Sequence, residues 1–209
     1  KKMLYITATG RNDWASQLAG SSERSFFYPS VGISWVPTSI WDFGAVNYFK
    51  LRASVASVGM PFPRFLTMPT YEYDATNKIW KDKTHYPIGD LKPERTLTYE
   101  VGVETRFWQD LSLNLSWYLA DTYNQTFDPQ ISVSSGYSTI YLQTGHVRNT
   151  GVELSAGYDN TWRDFRWATN FTFSWNKNEI VELVHNYKHP ETGEIIGTAG
   201  AIINITIKN

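Results

Sequence analysis

The sequence predicts an all-β fold in which an antiparallel sheet forms the wall of a transmembrane β-barrel. Seven segments alternate apolar and polar residues with a period of two, which turns the two faces of a strand toward different surroundings. The connections alternate between short and long, as in outer-membrane barrels with periplasmic turns and long outer loops. No segment approaches the roughly 20 consecutive apolar residues of a membrane helix.

The clearest alternation is in residues 164–176. From Phe165 to Trp175 every odd position is aromatic except Thr169, and every even position is small or polar. A soluble sheet hides such a ring-lined face under a second layer, whereas a membrane barrel turns it toward lipid. Aromatic residues make up 16% of the chain, with 9 Trp and 13 Tyr. Because Trp and Tyr favour membrane interfaces, this composition favours lipid.

Six further segments complete the predicted sheet, namely 2–10, 25–36, 46–58, 94–107, 111–123 and 147–158. Most are long enough to cross a bilayer at the usual tilt, which takes about 9–11 residues. Seven is an odd number, whereas single-chain bacterial barrels use even numbers. Residues 201–208 also alternate, and an open sheet edge in lipid is not tolerated. Either 201–208 close a small barrel as an eighth strand, or the sheet is one arc of a larger barrel.

The connections sort by length onto opposite ends of the predicted strands. Following the chain puts the short connections 37–45, 108–110 and 159–163 on the periplasmic side. The long loops then all lie outside, at 11–24, 59–93, 124–146 and 177–209. A soluble β-sandwich, such as a carbohydrate-binding module, does not sort its loops this way.

Composition and motifs point away from catalysis, metals and nucleic acid. The 19 basic and 20 acidic residues give a net charge of -1, without the basic footprint of a nucleic-acid binder. The absence of cysteine excludes a disulfide scaffold and a thiol nucleophile. The four histidines are predicted to be solvated loop residues; they are His85, His146, His185 and His189. No hydrolase, phosphate-loop or zinc-protease motif occurs, so we expect no enzyme activity, no cofactor and no metal site.

Charged residues on the polar side of the strands are predicted to face the barrel interior. The candidates are Arg52, Glu100, Glu104, Arg106, Glu153 and Arg166. They could line a substrate path or contact a plug. Since a wet barrel interior is polar in any case, mutual pairing is the favoured interpretation for each residue.

Aromatic residues of the long loops are better candidates for recognition, because aromatic faces stack on sugar rings and anchor protein partners. The candidates are Trp14, Phe65, Tyr71, Tyr73, Trp80, Tyr86, Tyr137 and Tyr141. The alternative is that the loops pack on themselves. Trp14 also lies at a strand end, as do Trp41, Trp108 and Trp162, and such positions favour an interfacial aromatic girdle.

Six short motifs occur in order between residues 2 and 183. They are Thr9-Gly10-Arg11-Asn12-Asp13, Phe26-Phe27-Tyr28-Pro29-Ser30-Val31 with Trp35, Leu51-Arg52-Ala53-Ser54-Val55 with Gly59, Leu91-Lys92-Pro93-Glu94-Arg95-Thr96, Asn149-Thr150-Gly151-Val152-Glu153-Leu154, and Trp175-Asn176-Lys177-Asn178-Glu179-Ile180-Val181. In order and spacing they resemble the SusC/RagA family of TonB-dependent outer-membrane transporters of Bacteroidetes. Trp14 and Met60 depart from the residues common in that family, both at loop edges.

The resemblance implies a late segment of a barrel of about 22 strands, with 1–209 as part of one barrel domain. It also implies a location in the bacterial outer membrane, surrounded by its lipid, and TonB-dependent import of oligosaccharide or peptide fragments. A SusD-like surface lipoprotein is the implied partner. No plug domain or TonB box is recognised in the sequence, so contact with the TonB complex is expected through other parts of the protein. The alternative is a small eight-stranded outer-membrane barrel with a structural or adhesive role.

Overall fold

The computed structural model describes residues 3–18, 24–60, 71–82, 85–86, 92–130 and 137–182. Seven strands form one sheet, in which all neighbours pair antiparallel. In the order of the sheet they are Leu4–Trp14 (β1), Ser25–Trp35 (β2), Val46–Met60 (β3), Glu94–Phe107 (β7), Leu111–Phe127 (β8), Leu142–Trp162 (β10) and Phe165–Glu182 (β11). The predicted antiparallel sheet is confirmed, and each predicted segment overlaps one of its strands.

Shorter elements lie in the connections. Tyr71–Asp74 (β4) and Ile79–Asp82 (β5) form an antiparallel hairpin, while His85–Tyr86 (β6) pairs in parallel with Thr139–Ile140 (β9). Two single-turn 3-10 helices follow β1 and β2. None of the helices in the described ranges could cross a membrane.

Several strands run further than the apolar pattern suggests. β8 continues to Phe127, β10 begins at Leu142 and β11 continues to Glu182, all inside stretches predicted as loops. Backbone pairing continues there because it does not depend on the apolar alternation that marks the membrane segment. The proposed eighth strand at 201–208, and with it the closure of a small barrel, lies outside the described residues.

The strand register gives the sheet two chemically different faces. Directly paired residues share a face, and one row across six strands is Ser34, Arg52, Gly102, Ser116, Glu153 and Ser174. This side is called the polar face. The neighbouring row is Ile33, Ala53, Val101, Trp117, Val152 and Trp175, on the apolar face.

The apolar face is not covered by a second layer of described residues. Phe171, Phe173 and Trp175 are each at least half exposed. Within the described ranges, the only buried large apolar side chains are Ile140 and Leu142, which belong to the loops and to the end of β10 rather than to this face. A sandwich core would require the opposite, so the bare face is that of a transmembrane barrel wall.

Tight turns close the sheet at the end opposite the long loops. Trp108 and Gln109 connect β7 to β8 with φ angles of 47° and 68°, the left-handed pair of a turn that matches the strand twist. The backbone N–H of Gln109 donates to Asn47 Oδ1 at 2.9 Å. The exposed rings of Trp41, Trp108 and Trp162 lie at this end, as an interfacial girdle requires.

Three of the sequence motifs interlock through glycine and aromatic residues on neighbouring strands. The ring of Phe27 covers Gly10, where an added Cβ would lie 2.8 Å from Phe27 Cζ. The ring of Tyr28 covers Gly59 on the other neighbouring strand, with 2.3 Å from an added Cβ to Tyr28 Cε1. Only a residue without a side chain fits beneath either ring.

Replacing Gly59 with alanine is therefore expected to destabilise the barrel. The Tyr28 ring must move, and overpacking of this kind costs about 1–3 kcal/mol. We expect the urea concentration at the midpoint of unfolding to fall for the full-length protein in detergent. Unfolding is followed by the heat-modifiable electrophoretic mobility. Gly32→Ala is the matched control, because an added Cβ there would be 3.8 Å from its nearest neighbour. Equal losses in the two variants would contradict the role of the Tyr28 contact.

Candidate functional site

Arg52 is the centre of the polar face. Its Nη2 donates to Ser116 Oγ at 2.6 Å and lies 3.2 Å from Glu100 Oε1. The side chain extends from β3 across β7 to β8, over Gly102, where an added Cβ would lie 2.5 Å from Arg52 Nε. Gly102 thus lets one guanidinium join three strands.

A second ion pair flanks this network. Lys50 Nζ lies 3.6 Å from Glu104 Oε2, and these two residues are directly paired in the register. Both pairs are partly exposed, so each contributes at most about 1 kcal/mol. Of the predicted charges in this region, Arg52 and Glu100 pair with each other, and Glu104 pairs with Lys50.

Arg52 also separates two shallow depressions of the polar face. One, of about 270 Å³, is lined by Tyr5, Thr7 and Glu100. The other, of about 290 Å³, is lined by Glu153 and Ser174 among others. The Arg52 side chain therefore lines both depressions.

A third depression lies toward the tight turns and has a volume of about 430 Å³. Arg106, Asp110 and Asp159 are among its lining residues. Arg166 binds Asp159 through two hydrogen bonds, from Nε at 2.9 Å and Nη2 at 2.5 Å. No carboxylate among the described residues lies within ion-pair distance of Arg106. The structure thus groups Arg52, Glu100 and Glu104, and sets Arg106 and Arg166 apart nearer the turns.

The hairpin β4–β5 gathers three of the predicted loop aromatics on one face. Tyr73 is paired with Trp80, and their ring centroids are 5.1 Å apart at an interplanar angle of 54°. Tyr71, two positions from Tyr73, shares this face by the strand alternation. The three side chains are between 49% and 69% exposed. They form a single exposed aromatic surface, which we call the aromatic hairpin face.

Asp74 holds the tip of this hairpin together. Its carboxylate accepts hydrogen bonds from Lys81 Nζ, from the Asn77 side chain and from the backbone N–H groups of Thr76 and Asn77. The bond from Lys81, followed by those from Asn77, lowers the pKa of Asp74 from its ordinary 3.8 to about 2. The aromatic rings are thus mounted on a locally braced turn.

The other predicted loop aromatics occupy different environments. Trp14 is 75% exposed and lies on the apolar face at the outer end of β1, where a girdle role is favoured over recognition. Tyr137 and Tyr141 are half-buried, and burial raises the pKa of the Tyr141 phenol. The backbone of Tyr86 forms part of β6. Phe65 lies outside the described residues.

The loop entry at Lys92 is fastened to the outer ends of the strands, a feature that sequence reasoning did not find. The side chain of Gln143 donates to the Lys92 carbonyl and accepts from the Lys92 N–H. Glu94 Oε1 accepts the backbone N–H of Thr126 at 2.9 Å. The Lys-Pro-Glu part of the fourth motif therefore has a structural role, since it attaches the end of the loop 59–93 to the outer ends of β8 and β10.

His146 contradicts the expectation of a solvated loop histidine. It lies in β10, stacks on Tyr123 at a centroid distance of 4.4 Å, and its Nε2 is 2.8 Å from Asp121 Oδ1. Asp121 is only 5% exposed and also binds Arg148 through two hydrogen bonds of 2.8 and 3.2 Å. The contact joins residues 25 positions apart, and it depends on the outward extension of β10 into a stretch that the alternation predicts as loop.

Comparisons with known proteins agree with this architecture. The family model described as "TonB dependent receptor-like, beta-barrel" matches residues 2–199. A TonB-dependent receptor of Formosa agariphila is 28% identical over 193 residues, covering 88% of this chain and 18% of the relative. The TonB-dependent receptor SusC of Bacteroides thetaiotaomicron is 24% identical over 200 residues, covering 85% and 19%.

Solved structures share the fold of this chain. A structure of the RagAB peptide transporter matches with a TM-score of 0.75 and 25% identity, covering 94% of this chain and 23% of that one. The closed-closed state of the RagAB peptide importer matches with a TM-score of 0.76 and 24% identity, covering 92% and 22%. The chain spans about a fifth of the length of the curated relatives it matches.

The lowered pKa of Asp74 predicts how the hairpin responds to acid. Because the folded pKa is depressed, the contribution of the carboxylate is present above about pH 3.8 and is lost as the pH falls through about 2. Pepsin, which cleaves beside aromatic residues, is expected to cut full-length wild-type protein at Tyr73 or Trp80 several-fold more slowly than Asp74→Ala at pH 4. The two rates should converge near pH 1.5, as followed by mass spectrometry of the fragments. Asp164→Ala, in the opposite turn, is the control, and a rate ratio independent of pH would refute the prediction.

Proposed function

This chain belongs to the family of TonB dependent receptor-like β-barrels, and from that premise we propose that it forms wall and outer loops of an outer-membrane nutrient importer. The observation that supports this most is the two-faced sheet. One face is polar across six strands and the other is bare and apolar. Such a wall separates lipid from a wet interior. Import would be powered by the TonB complex, through parts of the protein outside this sequence.

The polar face would then be part of the path or the plug contact inside the barrel. Arg52 and its partners Glu100 and Ser116 lie where an object in the interior would meet the wall. Half-exposed ion pairs are individually weak, so they can exchange partners with a passing polar molecule at small cost. The wall in this proposal is a neutral hydrogen-bonding surface rather than a catalytic pocket.

The proposed substrates are glycan or peptide fragments, handled together with a SusD-like surface lipoprotein. The structural neighbours include two states of the RagAB peptide importer, and SusC is among the relatives. The aromatic hairpin face suits either substrate class, and also a protein partner, because exposed rings stack on sugars and anchor interfaces.

Deletion of the gene for the complete protein tests the proposed import. The host is supplied with single glycans or peptide mixtures as the limiting nutrient. We expect the growth yield of the deletion strain to fall at least tenfold on one substrate class. Complementation should restore growth only when TonB is functional. Unimpaired growth on every nutrient, or recovery of the protein in the soluble fraction, would rule the proposal out.

The aromatic hairpin face gives a sharper test. The triple substitution Tyr71→Ala, Tyr73→Ala and Trp80→Ala is expected to weaken substrate binding by at least about 10-fold. Each aromatic contact contributes about 0.5–1.5 kcal/mol beyond its buried area, and every ~1.4 kcal/mol is a factor of ten. Isothermal titration calorimetry of substrate into the purified complex of transporter and lipoprotein measures this affinity. Ile79→Ala changes an exposed residue on the opposite face of the same hairpin and should bind as wild type. Equal affinity of triple variant and control would remove this face from the proposed site.

A further inference from the structure

The apolar face of β11 measures the hydrophobic layer that the barrel crosses. Its apolar ladder runs from Phe165 to Trp175, ten residue steps along the strand. At ~3.3 Å per residue and the usual tilt of ~40°, this ladder spans about 25 Å across the membrane, which is the height of the apolar band of such barrels. The next residue on this face is Lys177. Its charge therefore lies in the lipid head-group layer.

The same change from apolar to charged occurs on the three neighbouring strands. The register places Thr150 beside Lys177, and Arg148 follows as the first charged residue outward on β10. Asp121 is directly paired with Arg148 and is the first on β8. On β7 the corresponding residue is Arg95. The four residues Lys177, Arg148, Asp121 and Arg95 are called the outer charged strip.

The tilt of the strands brings this strip to one depth in the membrane. The row through Lys177 meets β7 at Tyr99, and Arg95 is four residues further out. With strands ~4.8 Å apart and tilted by ~40°, a line parallel to the membrane shifts by ~1.2 residues per strand, or ~3.6 residues over three strands. The periplasmic ends of the strands are offset in the same direction. Tyr158 of β10 is paired with Leu111, where β8 begins, and β10 continues four residues further toward the periplasm. The strip is therefore level with the membrane surface.

The strip is rich in available cationic donors. It contains three cations and one acid, and Asp121 is occupied by Arg148 and His146. Arg148 uses Nε and Nη2 in that contact, which leaves Nη1 for another acceptor, and its side chain is 40% exposed. Lys177 is 58% exposed and binds Glu179, which lies two residues further out on β11 and is directly paired with Arg148. Arg95 donates to Ser57 Oγ at 2.9 Å, and among the described residues no carboxylate lies within ion-pair distance of it.

We propose that Arg95, Arg148 and Lys177 bind the phosphate groups of outer-leaflet lipid and so fix the depth of this part of the barrel. Guanidinium and ammonium groups form charge-assisted hydrogen bonds with phosphate. The strip continues directly from the lipid-facing apolar surface, so the lipid that covers that surface carries its head group to this level. The inference rests on the transmembrane fold and is independent of the imported substrate.

Native mass spectrometry of the full-length transporter with lipid A as the probe tests the proposal. Arg95→Gln combined with Lys177→Gln removes two cations and leaves the Arg148–Asp121 pair intact. We expect the fraction of protein that retains lipid A to fall at least threefold. Lys50→Gln combined with Arg106→Gln removes the same charge from the polar face and should retain lipid A as wild type.

Two results would overturn the proposal. One is wild-type retention of lipid A by the Arg95 and Lys177 double variant. The other is equal retention of lipid A and its dephosphorylated form by the wild type, since the phosphate is the proposed ligand. Heat-modifiable mobility checks that each variant is folded. If the double variant does not fold, Lys177→Gln alone, at an exposed position, carries the same expectation with a smaller loss.

Discussion

The structure depends on the register of its strands. In lipid every backbone N–H and C=O must pair within the sheet, and a slip by one residue would turn every side chain toward the wrong solvent. Contacts between neighbouring strands fix that register at particular points. The ring of Tyr28 fits only over Gly59, and Arg52 lies flat only over Gly102. These two glycines thus fix the register of adjacent strands.

Both faces gain their chemistry from this alignment. Arg52 reaches Glu100 and Ser116 because β3, β7 and β8 place these residues in adjacent rows of one face. On the other face, the same alignment brings Asp121 beside Arg148 at the outer end of the apolar ladder. The ion pairs of the polar face and the change from apolar to charged residues on the apolar face both follow from this one register.

The sequence predicted the membrane-crossing part of each strand well, because period-two alternation is strong between, for example, Phe165 and Trp175. It could not predict the outer extensions. The β8–β10 register shifts near Gly145, and Asn124 has a φ of 57°, so the alternation there is broken although pairing continues. For the same reason the alternation places His146 in a loop. Its contact with Asp121 depends on two strands meeting, which no local pattern records.

These extensions explain how a barrel wall can also organise its outer loops. Beyond the apolar ladder, β8 and β10 no longer need to satisfy lipid, and their side chains turn to the loops instead. Gln143 holds Lys92, and the backbone of Thr126 holds Glu94. The loop that carries the aromatic hairpin face thus ends at a fixed point on the sheet. Loop tips can then vary in sequence while their attachment to the wall is preserved.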